Sequence, residues 1–284
     1  MVWFDNAIIG VVAGGVGMAL LKVPTSKGYS KFSYFFLAGL VSSFLALIFY
    51  YKYIVFDYSA IILAFLWGTG YAMASMLQMH ILKKIDASSI FPITTIMSQV
   101  LVVIIGLTFF KDQIRFLQFI GMVLAFVIIL SFNYTHKHIT LKNGLFLNAL
   151  GIVALSAGTK FVQKVGSVSG NVYNCIFWQL FFSMIATLVM TYIFEIRKGI
   201  SLKNIFPKKV FPWSIFLGTI NFCGTSMIVR ALSTGPFSLV NAVLSFYIVV
   251  MFIIAWKFFD EIMTVRKAIF IFLSLGAMLL IRLG

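Results

Sequence analysis

Residues 101–132 read LVVIIGLTFFKDQIRFLQFIGMVLAFVIILSF. Leu101 to Phe110 carries no charge, and neither does Phe116 to Phe132; between them stands the polar gap Lys111-Asp112-Gln113-Ile114-Arg115. The first apolar run extends back to about Ile90, so both runs approach the roughly 20 residues that a helix needs to cross a bilayer. Two membrane-length runs joined by five residues leave no space for a soluble domain between them.

The same reading extends along the chain in both directions. It gives ten spans, at about Ala7–Leu21, Ser33–Tyr51, Ser59–Leu82, Ile90–Phe110 and Phe116–Phe132 in the first half. The second half has spans at about Leu145–Val162, Val172–Phe194, Phe211–Ala231, Phe237–Phe258 and Val265–Leu283. The longest polar gap, Glu195 to Lys209, is still too short for a domain. Composition agrees: 62% of the 284 residues are hydrophobic and 10% charged, against about 45–50% and about 25% in a soluble domain. The fold class is therefore all-α membrane protein, with ten transmembrane helices and a multi-pass location. The net charge of +15 suits anionic headgroups and topology, since its residues sit in short gaps and form no nucleic-acid-binding stripe. Cys175 and Cys223 fall inside apolar runs and read as buried small apolar residues. The opening Met1-Val-Trp-Phe-Asp5 reads as the start of a retained helix, not of a cleaved signal.

Laying Ile104 on Ile253, a shift of 149 residues, brings Phe109-Phe110 onto Phe258-Phe259, Asp112 onto Glu261 and Ser89 onto Ser238. Matched Ile and Phe weigh little in so apolar a chain. An acid just past the helix end, twice in the same place, weighs more. Two halves of five spans each, an odd number, must sit in opposite orientations in the membrane. Such inverted repeats serve alternating access to a central site. The expected units are residues 1–134 and 144–284.

With the repeat in view, the connections resemble a known family. The first half carries Ile81-Leu82-Lys83-Lys84-Ile85-Asp86-Ala87-Ser88, a span, then Lys111-Asp112 and a closing span. The second carries Arg230-Ala231-Leu232-Ser233-Thr234-Gly235-Pro236, a span, then Asp260-Glu261 and a last span. Both resemble the EamA-type pattern of the drug/metabolite transporter superfamily, with Lys111 and Asp260 where the pattern has Gly. The resemblance covers nearly the whole chain. It implies a ten-helix permease for small metabolites in the cell (inner) membrane, with a cavity lined mainly by spans 1, 3, 4, 6, 8 and 9.

Candidate substrate-binding residues follow from polarity at membrane depth. Trp67, Tyr71, Ser75 and Gln78 share one face of span 3, an aromatic and hydrogen-bonding stripe suited to an organic solute, with Gly68 and Gly70 allowing close packing beside it. Span 4 adds Ser98 and Gln99, with Thr94 and Thr95; span 6 adds Asn148, span 8 Asn221 with Ser226, and span 9 Asn241 with Ser245. Lys160 is an ionisable group in span 6, read either as a partner for a substrate carboxylate or phosphate or as a lysine snorkelling to headgroups a few residues away. Lys22 and Arg230 read as interface anchors, Asn174 and Gln179 as packing residues, and Asp112 and Glu261 as surface ion-pair partners. His80, His136 and His138 lack metal-ligand spacing, so no metal or cofactor is expected.

The leading function is a secondary transporter (permease) for a small organic metabolite, working by alternating access. No nucleotide-binding motif is present, so either the substrate's own gradient or a coupled proton drives it, the latter through Lys160 or an interfacial acid. The alternative is a flippase for a lipid or lipid carrier. A membrane-embedded enzyme needs paired acids, clustered His or a Ser–His pair, and the sequence offers no such constellation. Partners are the small-molecule substrate and the lipid bilayer, not nucleic acid; nothing in the sequence fixes the oligomeric state. The connections after odd-numbered spans hold fourteen basic residues against six on the other side, which puts both termini outside by the positive-inside rule, whereas the resemblance implies termini inside.

Overall fold

The computed structural model describes residues 2–82, 87–133, 143–198, 206–258 and 265–284. Among them there is helix and no strand. The helices are α1 (Val2–Leu20), the short α2 (Lys22–Lys27), α3 (Lys31–Tyr50), α4 (Tyr58–Leu82), α5 (Ala87–Thr108) and α6 (Phe116–Asn133). The second half has α7 (Asn143–Val168), α8 (Val172–Phe194), α9 (Phe211–Thr234), α10 (Phe237–Leu244), α11 (Tyr247–Phe258) and α12 (Val265–Leu283).

Among the described residues, six segments are long and apolar enough to cross a membrane: Val2–Pro24, Lys31–Tyr53, Tyr58–Ile81, Val172–Phe194, Lys208–Thr234 and Phe237–Phe258. Shorter apolar helical stretches run through Met97–Thr108, Phe116–Ile128 and Ala268–Leu283. The 26-residue α7 is about 39 Å long, enough to span, but it falls outside both groups. It carries Asn148, Ser156, Thr159, Lys160, Gln163 and Lys164. A helix of that composition stays buried among other helices, because lipid offers its polar groups no partner.

The pairings between helices follow one rule. α1 packs on α9 as α7 packs on α4; α4 packs on α8 as α9 packs on α3. α3 lies against α8, and α6 against α12. Exchanging the two halves maps each of these pairings onto another, or onto itself. Glycine makes two of the seams possible. A Cβ on Gly68 of α4 would stand 2.5 Å from the Gln179 carbonyl oxygen of α8, and one on Gly218 of α9 would stand 2.5 Å from the Ala38 carbonyl oxygen of α3. Only backbones without a side chain between them approach so closely.

Three expectations need correction. The sixth run does not stop at Val162: α7 continues to Val168, because Gln163, Lys164 and Ser167 are buried, and the polar groups of Lys164 and Ser167 are hydrogen-bonded within the protein. The ninth run is not one helix: it breaks at Ser245-Phe246 into α10 and α11. Phe246 N–H there bonds back only three residues, to Val243 O at 3.1 Å. Cys175 is buried as expected, but Cys223 is exposed. It continues the outward stripe Ile215, Phe216 and Thr219 of α9.

Candidate functional site

At mid-helix depth the two halves line a partly open cavity of about 250 Å³. α1, α4 and α5 line it from one half, and α7, α9, α10 and Tyr247 of α11 from the other; α3 gives only Phe35 and α8 only Gln179. Small residues on α1 make the room: Gly10, Ala13, Gly14 and Gly17 all face it.

The structure brings eight of the ten candidate residues to this cavity. Trp67, Tyr71, Ser75 and Gln78 line it along one face of α4, and Ser98, Lys160, Asn221 and Asn241 join them. Tyr71 keeps 37% of its surface accessible although it sits between helices. Gln99 stands behind Lys160, its Oε1 accepting from Lys160 Nζ at 3.2 Å. Asn148 does not line the cavity; it lies one helical turn before Ile152, where the α7 lining begins. Thr94 and Ser245 also line it, whereas Ser226 instead pairs with the Tyr50 hydroxyl at 2.9 Å.

Lys160 stands eight residues inside the end of α7, about 12 Å of helix. Its side chain faces the cavity and donates to Gln99. Lys160 is also the one charged side chain among the described lining residues.

Several lining residues escaped the sequence reading. Ile152, Ser156, Thr159, Lys160 and Gln163 form a single helical stripe on α7, which the spacing of three and four around Lys160 would have exposed. Gln179, read from the sequence as a packing residue, is the one residue of α8 in the described lining. It is 2% exposed and its Oε1 has no hydrogen-bond partner. Ser98 Oγ, Gln99 Nε2 and Asn241 Oδ1 are likewise buried without a partner. Buried polar atoms left unpaired are uncommon, and four around one cavity mark it as a polar site. Asn174, by contrast, does serve packing: its Oδ1 accepts from Val55 N–H at 3.0 Å.

Toward the end of the bundle that holds both chain termini, the helices close over the cavity. Lys164, one turn beyond Lys160, is 8% exposed. Its Nζ donates to the carbonyls of Leu232 at 2.6 Å and Gly235 at 3.0 Å, at the end of α9. Asp112 is not a surface ion-pair partner. Its Oδ2 accepts from Ser238 N–H at 2.6 Å and from Ser238 Oγ–H at 2.7 Å, capping the first turn of α10. Phe110 sits between Phe161 and Phe237, with ring centroids 5.8 and 5.0 Å away. Arg230 reaches the Tyr173 hydroxyl at 3.4 Å. At the opposite end, Ser30 Oγ donates to the Glu195 carboxylate. Asp86, His136, His138 and Glu261 lie outside the described residues.

Comparison with known proteins finds a family model similar to the second half and a solved structure similar in fold to the whole. The model of the EamA-like transporter family matches residues 143–283. No curated protein matches the chain. A solved crystal structure, 11% identical, matches over 98% of this chain and 98% of its own with a TM-score of 0.74. At that identity the likeness concerns the fold alone.

Proposed function

From the match of residues 143–283 to the model of the EamA-like transporter family, we propose that the whole chain is a ten-span secondary carrier for a small organic metabolite. On this reading residues 1–134 and 144–284 are two inverted five-helix repeats, and the cavity between them is the transport site. Trp67, Tyr71, Ser75, Gln78, Ser98, Lys160, Asn221 and Asn241 bind substrate, and Gln99 holds Lys160. Asn148 is left out of this set.

The observation that carries the reading is the exchange symmetry of the helix pairings around one central polar cavity. Repeat-built carriers bind at the repeat interface, with discontinuous helices at the site. The break at Ser245-Phe246 has that character, since Asn241, Ser245 and Tyr247 all line the cavity beside it. Transport then consists of exchanging which end of the bundle is closed. The termini-end closure built from Lys164, Asp112 and the three phenylalanines is one of the two contacts that must alternately form and break. Insertion in the inner membrane and a gradient-driven cycle belong to the same proposal.

A thermal-shift screen of the detergent-purified protein against amino acids, nucleosides, sugars, amines and organic acids tests it. A ligand at 100 times its dissociation constant stabilises by about 2.7 kcal/mol. A soluble metabolite should raise the melting temperature, and Trp67→Ala or Tyr71→Ala should weaken its effect. Stabilisation by lipids alone would replace the carrier by a flippase.

A further inference from the structure

We infer that the cavity selects a monovalent organic carboxylate bearing a neutral hydrogen-bond donor, of the hydroxy-acid type, with Lys160 as the partner of its carboxylate. This rests on the carrier reading above and names its substrate class.

The argument begins with counting charge. The chain has seven acids, Asp5, Asp57, Asp86, Asp112, Glu195, Asp260 and Glu261. Asp5 stands in the first turn of α1. Asp57 caps the start of α4 through Ser59 N–H. Asp112 is taken by Ser238 and Glu195 by Ser30. The other three fall in the connections between α4 and α5 and between α11 and α12. No acid is among the described lining residues, which hold one cation, Lys160, whose hydrogen bond goes to the neutral Gln99. Lys160 is partly buried, and a cation held between helices without a counter-charge is costly. A bound anion supplies that charge and replaces the Gln99 interaction with a charge-assisted bond.

The number of charges limits the anion. One ammonium balances one carboxylate. A phosphate dianion would bring a second negative charge that no described lining residue meets, and the bidentate Arg that suits phosphate is absent from that lining. The unpaired atoms refine the rest of the molecule. Gln179 Oε1 and Asn241 Oδ1 are acceptors without donors, so each calls for an N–H or O–H on the ligand. Both are neutral, so a hydroxyl suits them, whereas the ammonium of a zwitterion would leave the site's positive charge uncancelled. Trp67, Met18, Ile220 and Leu244 supply apolar wall for a compact carbon skeleton.

The test measures apparent affinities by thermal shift with matched probes. Lactate and 3-phenyllactate are compared with their neutral amides, with alanine and phenylalanine as zwitterions, and with propionate, which lacks the donor. The hydroxy acids should stabilise the wild-type protein and the amides should not. Lys160→Gln should weaken hydroxy-acid binding by about ten-fold or more, the loss expected of a charge-assisted bond, and Lys160→Arg should retain most of it. Gln179→Leu, which leaves Lys160 in place, should lower the preference for lactate over propionate. Amides or zwitterions binding as well as the hydroxy acids, or unchanged hydroxy-acid affinity in Lys160→Gln, would overturn the inference and leave the carrier reading standing. Silence from these probes and from the wider metabolite screen would overturn both.

Discussion

Lys160 and Lys164 are one helical turn apart and meet different fates. Lys160 has a cavity before it and a glutamine behind it. Lys164 is spent on two backbone carbonyls at the end of α9, where a cation also meets the negative end of the helix dipole. Replacing Lys164 with Met keeps most of the bulk and strands those carbonyls. We expect a loss of about 1.5–3 kcal/mol, the range for hydrogen bonds to charged groups, read as a lower melting temperature in detergent. Lys160→Met should cost less stability, because it strands one carbonyl, that of Gln99, and removes a cation that has no counter-charge in the described lining. At this scale the sequence was informative about residue type and poor about depth. The stripe Trp67, Tyr71, Ser75 and Gln78 could be read from spacing alone, since a helix is fixed by its period. The depth of Lys160 could not, because Gln163, Lys164 and Ser167 look like a helix end until their burial, and the bonds of Lys164 to the end of α9, are known.

Among the elements, α10 and its cap bear most on mechanism. α10 is eight residues long and is held at its start by Asp112, which comes from the other half of the chain. Asp112→Ala should destabilise by about 1 kcal/mol, the usual cost of losing a cap, and should raise amide hydrogen exchange in Phe237–Leu244 more than in α6 or α12. The seams at Gly68 and Gly218 carry a second prediction. Gly68→Val forces a side chain against the Gln179 carbonyl, and overpacking of this kind costs about 1–3 kcal/mol. Gly218→Val should cost a similar amount, since it stands in the exchanged seam. Comparing the two melting temperatures checks the symmetry directly, and a change in only one would count against it. Most helices were legible as apolar runs, with Val172–Phe194 and Val265–Leu283 ending where the runs end. The break between α10 and α11 was not. Phe237 to Phe258 is apolar almost throughout, and the break shows only in the backbone, where Phe246 N–H bonds to Val243 O.

For the molecule as a whole, the two halves share one cavity, and neither encloses it alone. Its walls come from α1, α4 and α5 on one side and α7, α9 and α10 on the other. The sequence repeat pointed to this division through Asp112 and Glu261, although an acid matched to an acid says nothing of its partner. Ser238, which the same alignment set against Ser89, turned out to be that partner for Asp112. The central claim is that this cavity opens in turn to each face of the membrane. The direct measurement is two-sided labelling of Ser98→Cys, with Cys175 and Cys223 replaced by Ala, using a membrane-impermeant maleimide in vesicles of known orientation. Labelling is predicted from either face. Joining the termini-end closure with a reducible Asp112→Cys, Ser238→Cys disulfide should abolish labelling from the face that holds the termini and preserve it from the other, with reduction restoring both. Labelling from a single face, before any disulfide is formed, would contradict alternating access and leave a pocket with one entrance.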